Sequence, residues 1–183
     1  MSSASSLSKA EPPPGAIACH RRGTCRLCGG GELELVLGLA PTPPANAFVG
    51  EEAVGEPQQV FPLDVFLCRD CSHLQLLDVV DPVHLFENYV YVSGTSPVFV
   101  DHFRRYADDV IDRMAPPEDG LVVDIGSNDG TLLRFFKERG RRVLGIDPAR
   151  DVAAAANARG IETVVGFFTP ERARAIRDSH GPA

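Results

Sequence analysis

The sequence predicts an α/β protein in which a four-cysteine module precedes three βα units of a parallel sheet. Two observations lead to this prediction. Two C-x-x-C pairs lie in the first 71 residues, and strand-like and helix-like segments alternate from about residue 119 onward. A chain of 183 residues is long enough for two small domains.

Charge and hydropathy patterns exclude several functional classes. The net charge is −7 and no cluster of Lys and Arg exceeds two or three residues, so no nucleic-acid partner is expected. No apolar run approaches the roughly 18–20 residues of a membrane span, and the first residues lack the apolar segment of a secretory signal. We therefore expect a cytoplasmic protein without a membrane partner, whose five cysteines are reduced or metal-bound.

Four segments are predicted along the chain. Residues 1–20 are rich in Ser, Ala and Pro and are expected to be a disordered tail. Residues 21–80 are predicted to be the cysteine module, 81–118 a helical connector with a cleft segment, and 119–183 a partial α/β domain. The boundary is expected near residues 115 to 120, where "APPEDG" interrupts the helical pattern.

The cysteine pairs predict a structural zinc site. Cys25 with Cys28, and Cys68 with Cys71, supply the four thiolates of a closed tetrahedral shell. The spacer of 39 residues is longer than in the commonest zinc pattern, but "ELELVLGLA" and "QQVFPLDVFLC" can fill it with strands. A redox dithiol and buried thiols are the alternatives; a redox pair should open a helix, and neither pair does so.

Two neighbouring residues are expected to stay outside the metal shell. His73 follows Cys71 by two residues, but four thiolates already complete the coordination. Cys19 has no partner at C-x-x-C spacing and is expected to be a free thiol in the tail.

The middle of the chain combines a short strand with two helices. "LQLLDVV" is predicted to be a strand, and "DPVHLFENY" a short helix capped by Asp81. Ser96 is expected to cap a longer helix from Pro97 to about Met114, whose apolar residues recur every three or four positions. From the residues alone, Tyr89 and Tyr91 of "YVYVSGTS" are interpreted as strand residues packing on that helix.

The last third of the chain alternates strands and helices. The predicted strands are "LVVDI", "RVLGID" and "IETVV", and the predicted helices are "TLLRFFKERG", "PARDVAAAANARG" and "TPERARAIRDSH". This order predicts a parallel sheet, which binds ligands at the carboxyl ends of its strands. Gly126 and Gly130, in the turn after the first strand, are expected to let a ligand approach the backbone.

The acidic residues around this turn favour a cationic ligand without a phosphate. Asp129 would repel the phosphates of a dinucleotide, and Asp147 ends the second strand, where a carboxylate can accept bonds from ribose hydroxyls. S-adenosylmethionine has a free ribose and two cationic groups, and therefore fits. The alternative is that Asp124, Asp129 and Asp147 are only caps and turn formers.

The chain resembles the amino-terminal part of the sugar C-methyltransferases, which use S-adenosylmethionine on nucleotide-linked keto-deoxysugars. The resemblance is carried by "CRLCG", "PPANAF", "FPLDVFLCRDCSHLQL", "YVYVSGTS", "DIGSNDGTLL", "VLGIDPA" and "GFF". It implies a zinc-binding module followed by a Rossmann-like methyltransferase domain, here incomplete with three βα units. It also implies a cofactor site at Ser93, Asp124, Gly126, Asp129, Gly130, Asp147 and Phe168, with Phe168 beside the adenine.

The same resemblance implies a reaction and its acceptor. A base removes the proton next to a ketone, and the enolate of a nucleotide-linked sugar or similar small ketone takes the methyl group. Tyr91, and less directly Tyr89, are implied as active-site residues, one hydroxyl donating to the enolate oxygen. Zinc would hold the module together without touching the substrate.

The family places the base, a histidine, after a fourth strand and thus beyond residue 183. His180 precedes that strand and is not this histidine. We therefore expect a truncated enzyme that does not turn over alone, with an open "LVVDI" edge, self-association, or a complementing carboxy-terminal polypeptide. The alternative function is a non-catalytic, zinc-bearing binding module derived from such an enzyme.

Overall fold

A computed structural model describes residues 16–183. The larger part of the predicted tail, residues 1–15, lies outside the described residues. From residue 16 onward, no helix combines the length and the apolar character needed to cross a membrane. The described chain forms two compact units, residues 16–84 and 85–183.

The first unit is built from two small antiparallel sheets. In one, β1 (Cys19–Arg21) pairs with β5 (Asp78–Val80). In the other, the strand order is β2 (Leu33–Leu37), β3 (Val65–Cys68) and β4 (Leu74–Leu76). A 3-10 turn at Glu51–Ala53 lies in the long spacer. The predicted strands of the spacer therefore exist, and they bring the two cysteine pairs to the same end of one sheet.

Two predictions in this unit are wrong. Cys19 and His20 belong to β1, so the tail does not extend to residue 20. "LQLLDVV" is not one strand, because β4 and β5 join different sheets around the buried Leu77. Asp81 does cap α1 (Pro82–Phe86), accepting a hydrogen bond of 2.9 Å from the amide of Val83.

The second unit contains the predicted βα alternation. A 3-10 turn at Ser93–Thr95 precedes α2 (Pro97–Met114). Then come β6 (Leu121–Ile125), α3 (Thr131–Glu138), β7 (Arg142–Asp147), α4 (Arg150–Ala158), β8 (Thr163–Val165) and α5 (Pro170–His180). The strands are parallel in the order β6-β7-β8. Among residues 16–183, β6 pairs with β7 alone.

Helix α2 belongs to the second unit and is not a separate connector. Its Ala107 is buried with Phe135 and Phe136 of α3. Phe103 and Val110 of the predicted apolar stripe pack around this contact, whereas Phe99 and Met114 at its two ends are 49% and 74% exposed. Ser96 caps α2 by accepting from the amide of Phe99, as predicted.

The sheet has apolar layers on both sides. Leu144 and Ile146 of β7 pack with Leu121 and Ile176 on one side, and α3 covers the other side through Phe135 and Phe136. Because the strands are parallel and share this core, their carboxyl ends form one rigid edge. The candidate site lies at that edge.

Candidate metal centre and ligand clefts

The four paired cysteines converge in the first unit. Their Sγ atoms all lie within 4.8 Å of one another. Two of the separations are 3.7 Å, between Cys25 and Cys71, and 3.6 Å, between Cys28 and Cys68. A tetrahedron with Zn–S bonds of about 2.3 Å has S–S edges of about 3.8 Å. The cluster therefore has the size of a four-thiolate zinc shell.

Backbone and side-chain N–H groups surround these sulfurs. The amide of Leu27 donates to the Sγ of Cys25 and the amide of Gly30 to the Sγ of Cys28, each at 3.4 Å. Gln75 is buried and donates through Nε2 to the Sγ of Cys25 at 3.1 Å. Donors of this kind stabilise thiolates, which are the form that binds metal.

Without a metal, the thiols of the cluster differ widely in pKa. The backbone amide of Cys28 and its neighbours lower the pKa of Cys25 to about 6 despite burial. The amide of His73 lowers the pKa of Cys71, but the adjacent thiols and burial raise it to about 12. Four thiolates this close repel one another, and a divalent cation removes that repulsion. The donor set fits zinc and lacks oxygen ligands suited to calcium or magnesium.

The two residues predicted to stay outside the shell do so. His73 is not part of the cluster; its carbonyl accepts from the amide of Cys68 at 2.9 Å. Cys19 is an exposed free thiol, and partial desolvation, together with the negative charge of Asp78, raises its pKa.

Two clefts lie at the carboxyl ends of the strands in the second unit, and the larger of the two has a volume of about 330 Å³. It is mainly apolar, with the Asp147 carboxylate and the Asn128 side chain among its few polar groups. The lining residues are Phe86, Tyr89, Ile125, Gly126, Asn128, Ile146, Asp147, Pro148, Gly166, Phe167 and Phe168. It has the character of a site for a partly aromatic small molecule.

A smaller cleft of about 160 Å³ adjoins the larger one. Its polar side chains are those of Ser93, Asp124, Ser127, Asn128 and Thr131, and Gly126, Phe103 and Leu132 complete it. The Ser127 hydroxyl is buried and has no hydrogen-bond partner among the described residues. Gly126 and Asn128 line both clefts, so the turn after β6 forms part of the wall of each.

Asp147 is buried at the end of β7 and shapes this turn. Its Oδ2 accepts from the amide of Asn128 and its Oδ1 from the amide of Ala149, both at 2.8 Å. Each carboxylate oxygen has a second acceptor position. The residue therefore caps two backbone segments and still lines the larger cleft.

Asp124 and Gly126 also lie at the clefts. Burial raises the pKa of Asp124, and the negative charge of Asp147 raises it further, so a cation in the smaller cleft would stabilise the ionised carboxylate. Gly126 has a φ of +78°, and a Cβ placed there would meet no atom within 4 Å. The backbone is thus open to a ligand at that position.

Asp129 and Gly130 line neither cleft. Asp129 is buried; its Oδ2 pairs with Nη1 of Arg159 at 2.8 Å and its Oδ1 accepts from the Thr131 hydroxyl at 2.7 Å. Gly130 has a φ of +75°, and a Cβ there would lie 2.9 Å from Ile161. Its small size serves core packing, and the expected repulsion of phosphate by Asp129 is offset by Arg159.

The remaining predicted residues lie around the clefts. Tyr89 and Phe168 line the larger cleft and Ser93 the smaller. Tyr91 is 40% exposed, and its ring centre lies 6.4 Å from that of Tyr89. Neither Tyr89 nor Tyr91 belongs to a strand, in contrast to the interpretation from the residues alone, and Tyr89 lines the larger cleft at the strand ends.

Sequence reasoning missed several residues at this edge. Asn128 lines both clefts, and Phe86 and Phe167 add aromatic surface to the larger one. Asn128 stands in the motif "GSNDG", whose aspartate and glycines, but not its asparagine, were predicted to be site residues. The only available signal was its type, because Asn tolerates the left-handed backbone conformation of tight turns better than most residues.

Together these features define a zinc-binding module joined to a Rossmann-like α/β unit. Residues 25–86 match a protein-family model described as "Putative zinc binding domain". The chain is similar to the C-methyltransferase NovU of Streptomyces niveus, with 38% identity over 159 residues that make up 87% of this chain and 38% of that protein. It is also similar to an uncharacterized methyltransferase of Staphylococcus carnosus, with 32% identity over 78 residues, 42% of this chain and 37% of that protein.

These comparisons confirm the resemblance to the amino-terminal part of a C-methyltransferase. They also support zinc binding at the amino-terminal module, since the matched segment contains the whole cysteine cluster. The matched regions span less than two fifths of the length of either relative.

Proposed function

We propose that the chain provides the zinc module and the S-adenosylmethionine site of a C-methyltransferase. The observation that carries this proposal is the pair of adjoining clefts at the carboxyl ends of the parallel strands. Each cleft contains one carboxylate, Asp147 in the larger and Asp124 in the smaller, and the open face of Gly126 lies between them. The name of the relative NovU supports methyl transfer to carbon.

The clefts fit the two ends of S-adenosylmethionine. In the larger cleft, Asp147 would accept hydrogen bonds from the ribose hydroxyls, and Phe168 would lie against the adenine. In the smaller cleft, the Asp124 carboxylate and the Ser127 hydroxyl would receive the ammonium group of the amino acid end. The negative charge on both sides of Gly126 complements a ligand with two cationic groups.

The reaction consistent with this site is methylation of a carbon next to a ketone, as in a nucleotide-linked keto-deoxysugar. S-adenosylmethionine supplies the methyl group on its sulfonium. The ring centre of Tyr91 lies 6.4 Å from that of Tyr89, which lines the larger cleft. In this proposal the Tyr91 hydroxyl would donate to the oxygen of the enolate that forms when the acceptor loses a proton. No residue between 16 and 183 is proposed as the base.

Zinc has a structural role in this proposal. Four thiolates complete a tetrahedral shell and leave no position for substrate or water. The module would therefore act by holding its own strands in place, and the chemistry would lie in the second unit.

Asp147 provides the direct test of the cofactor site. We expect Asp147→Ala to weaken S-adenosylhomocysteine binding, measured by calorimetry, by about 10- to 150-fold, because a charged acceptor contributes about 1.5–3 kcal/mol. Asp151→Ala, an exposed acid on the first turn of α4, is the matched control and should bind normally. Equal affinity in the two variants would mean that Asp147 only caps Asn128 and Ala149.

A melting curve separates binding from folding in this experiment. Asp147→Ala also removes two capping bonds and should lower the melting temperature moderately. Binding is therefore compared at a temperature at which both variants are folded. Absence of binding by the unaltered chain would contradict the proposal and favour the non-catalytic binding module.

A further inference from the structure

Asn128 joins three parts of the second unit through hydrogen bonds. Its Oδ1 accepts from the amide of Ser93 at 2.8 Å, and its Nδ2 donates to the carbonyl of Tyr91 at 2.9 Å. Its backbone amide donates to the Asp147 carboxylate at 2.8 Å. One residue therefore connects the segment at the rim of the clefts, the turn after β6, and the end of β7.

The local backbone explains why an asparagine can make these bonds. Val92 is extended, with φ −121° and ψ 118°, so the carbonyl before it and the amide after it point to the same side. A carboxamide offers one acceptor and one donor at matching positions. Asn128 itself has a φ of +51°, a conformation that Asn adopts more readily than other residues with side chains.

The backbone at Gly94, directly after Ser93, also packs tightly against the turn that follows β6. A Cβ on Gly94 would lie 2.5 Å from Oδ2 of Asp129 and 2.9 Å from the hydroxyl oxygen of Thr131. Gly94 is therefore in close contact with the buried Asp129 of the same turn. Two independent contacts, one polar and one steric, fix the segment in place.

We propose that Asn128 is a positioning residue that holds Tyr91–Ser93 against the cofactor turn. The two hydrogen bonds of the Asn128 side chain would fix the positions of Ser93, in the wall of the smaller cleft, and of Tyr91 relative to Asp147 before a ligand binds. The inference rests on the proposed function, because the positioned groups are those that would surround S-adenosylmethionine. Its functional consequence is preorganisation: when the segment detaches, the fraction of molecules competent to bind falls and the apparent affinity falls with it.

Asn128→Gly isolates the side-chain amide. Glycine adopts a positive φ without strain and keeps the backbone bond to Asp147, so the substitution removes the carboxamide alone. We expect S-adenosylhomocysteine affinity to fall about 5- to 30-fold, corresponding to the loss of one or two neutral hydrogen bonds. Amide hydrogen exchange in residues 89–95 should become faster. In Asn128→Asp, which keeps the acceptor for Ser93 and loses the donor to Tyr91, an intermediate loss is expected.

Asn157→Ala is the matched control. The Asn157 side chain also bridges backbone groups, bonding to the carbonyls of Ala153 and Thr163 and to the amide of Thr163, but it lines neither cleft. We expect a lower melting temperature with unchanged ligand affinity and unchanged exchange in residues 89–95.

The outcomes separate the two proposals. Unchanged affinity in Asn128→Gly would overturn the inference even if exchange became faster, and so would an equal affinity loss in Asn157→Ala. In both cases the unaltered chain binds the ligand and the proposed function stands. Failure of the unaltered chain to bind S-adenosylhomocysteine would overturn the proposed function and the inference that rests on it.

Discussion

Replacing Cys68 with serine is expected to remove the metal and to unfold the first unit. Zinc in small structural sites contributes about 10–16 kcal/mol of apparent binding energy that is available only to the folded state. The first unit has little else to stabilise it, because Phe61 and Leu77 are its only buried apolar side chains besides cysteines among the described residues. Elemental analysis should give about one zinc per unaltered chain, released by thiol modification, and far less in Cys68→Ser.

Cys19→Ser is the matched control for the loss of a thiol. Cys19 is exposed and lies outside the cluster, so this variant should keep both its zinc and its circular dichroism spectrum. Freshly purified, reduced chain without zinc would disprove the four-thiolate site. A metal-free Cys68→Ser chain that keeps a folded first unit would show that zinc binds there without supporting the fold.

Arg159→Ala is expected to destabilise the second unit by about 2–4 kcal/mol. Breaking a buried ion pair costs about 3–5 kcal/mol. The expected cost is lower here because the Arg159 side chain is 58% exposed and its charge is screened by water. The cost arises at Asp129, whose side chain is 1% exposed and would be left buried without its cationic partner. Urea denaturation at neutral pH measures the difference.

The pH dependence identifies the cause of this effect. Burial raises the pKa of Asp129, but bonds from Thr131 and the ion pair with Arg159 lower it below the usual value. A carboxylate with a lowered pKa stabilises the fold above its unfolded pKa of about 4, and this contribution is lost as the pH falls through the folded pKa. In Arg159→Ala that lowering is reduced, so the stability difference should shrink as the solution is acidified below about pH 4.

Arg113→Ala provides the comparison for an exposed pair. Arg113 and Asp109 lie one turn apart on α2, with 76% and 51% of their side chains exposed, and such pairs contribute about 0–1 kcal/mol. A loss in Arg159→Ala no greater than in Arg113→Ala would mean that the Thr131 bonds alone support Asp129.

The sequence predicted those parts of the fold that depend on local patterns. The alternation after residue 119 implied the parallel sheet, and Ser96 and Thr169 marked the starts of α2 and α5 because their hydroxyls accept from amides three residues on. The two cysteine pairs were predicted to lie together because a tetrahedral zinc site needs four thiolates, and this requirement does not depend on the length of the spacer. These predictions needed no knowledge of which loop contacts which strand.

The parts that the sequence could not predict depend on contacts between distant residues. Asp129 was expected to face a ligand, but its carboxylate is buried and pairs with Arg159, 30 residues later in the sequence. Gln75 donates to Cys25 across 50 residues, and β1 pairs with β5 although neither strand has a marked pattern. The proposed roles of Asp124, Asp147, Tyr91 and Phe168 remain predictions, and Asp147→Ala tests one of them directly.

Because the spacer between the cysteine pairs is long, a metal in the cluster would cross-link two distant parts of the chain. With zinc in the cluster, Cys28 and Cys68 are tied together and the 39 residues between them become a closed loop. In the chain-entropy estimate used for disulfides, closing a loop of about 40 residues removes about 4 kcal/mol of unfolded-state freedom. This cross-link forms without oxidation and opens when the metal leaves. The order of the spacer, including β2 and the 3-10 turn, is therefore tied to the concentration of free zinc, and its stability rises with the logarithm of that concentration.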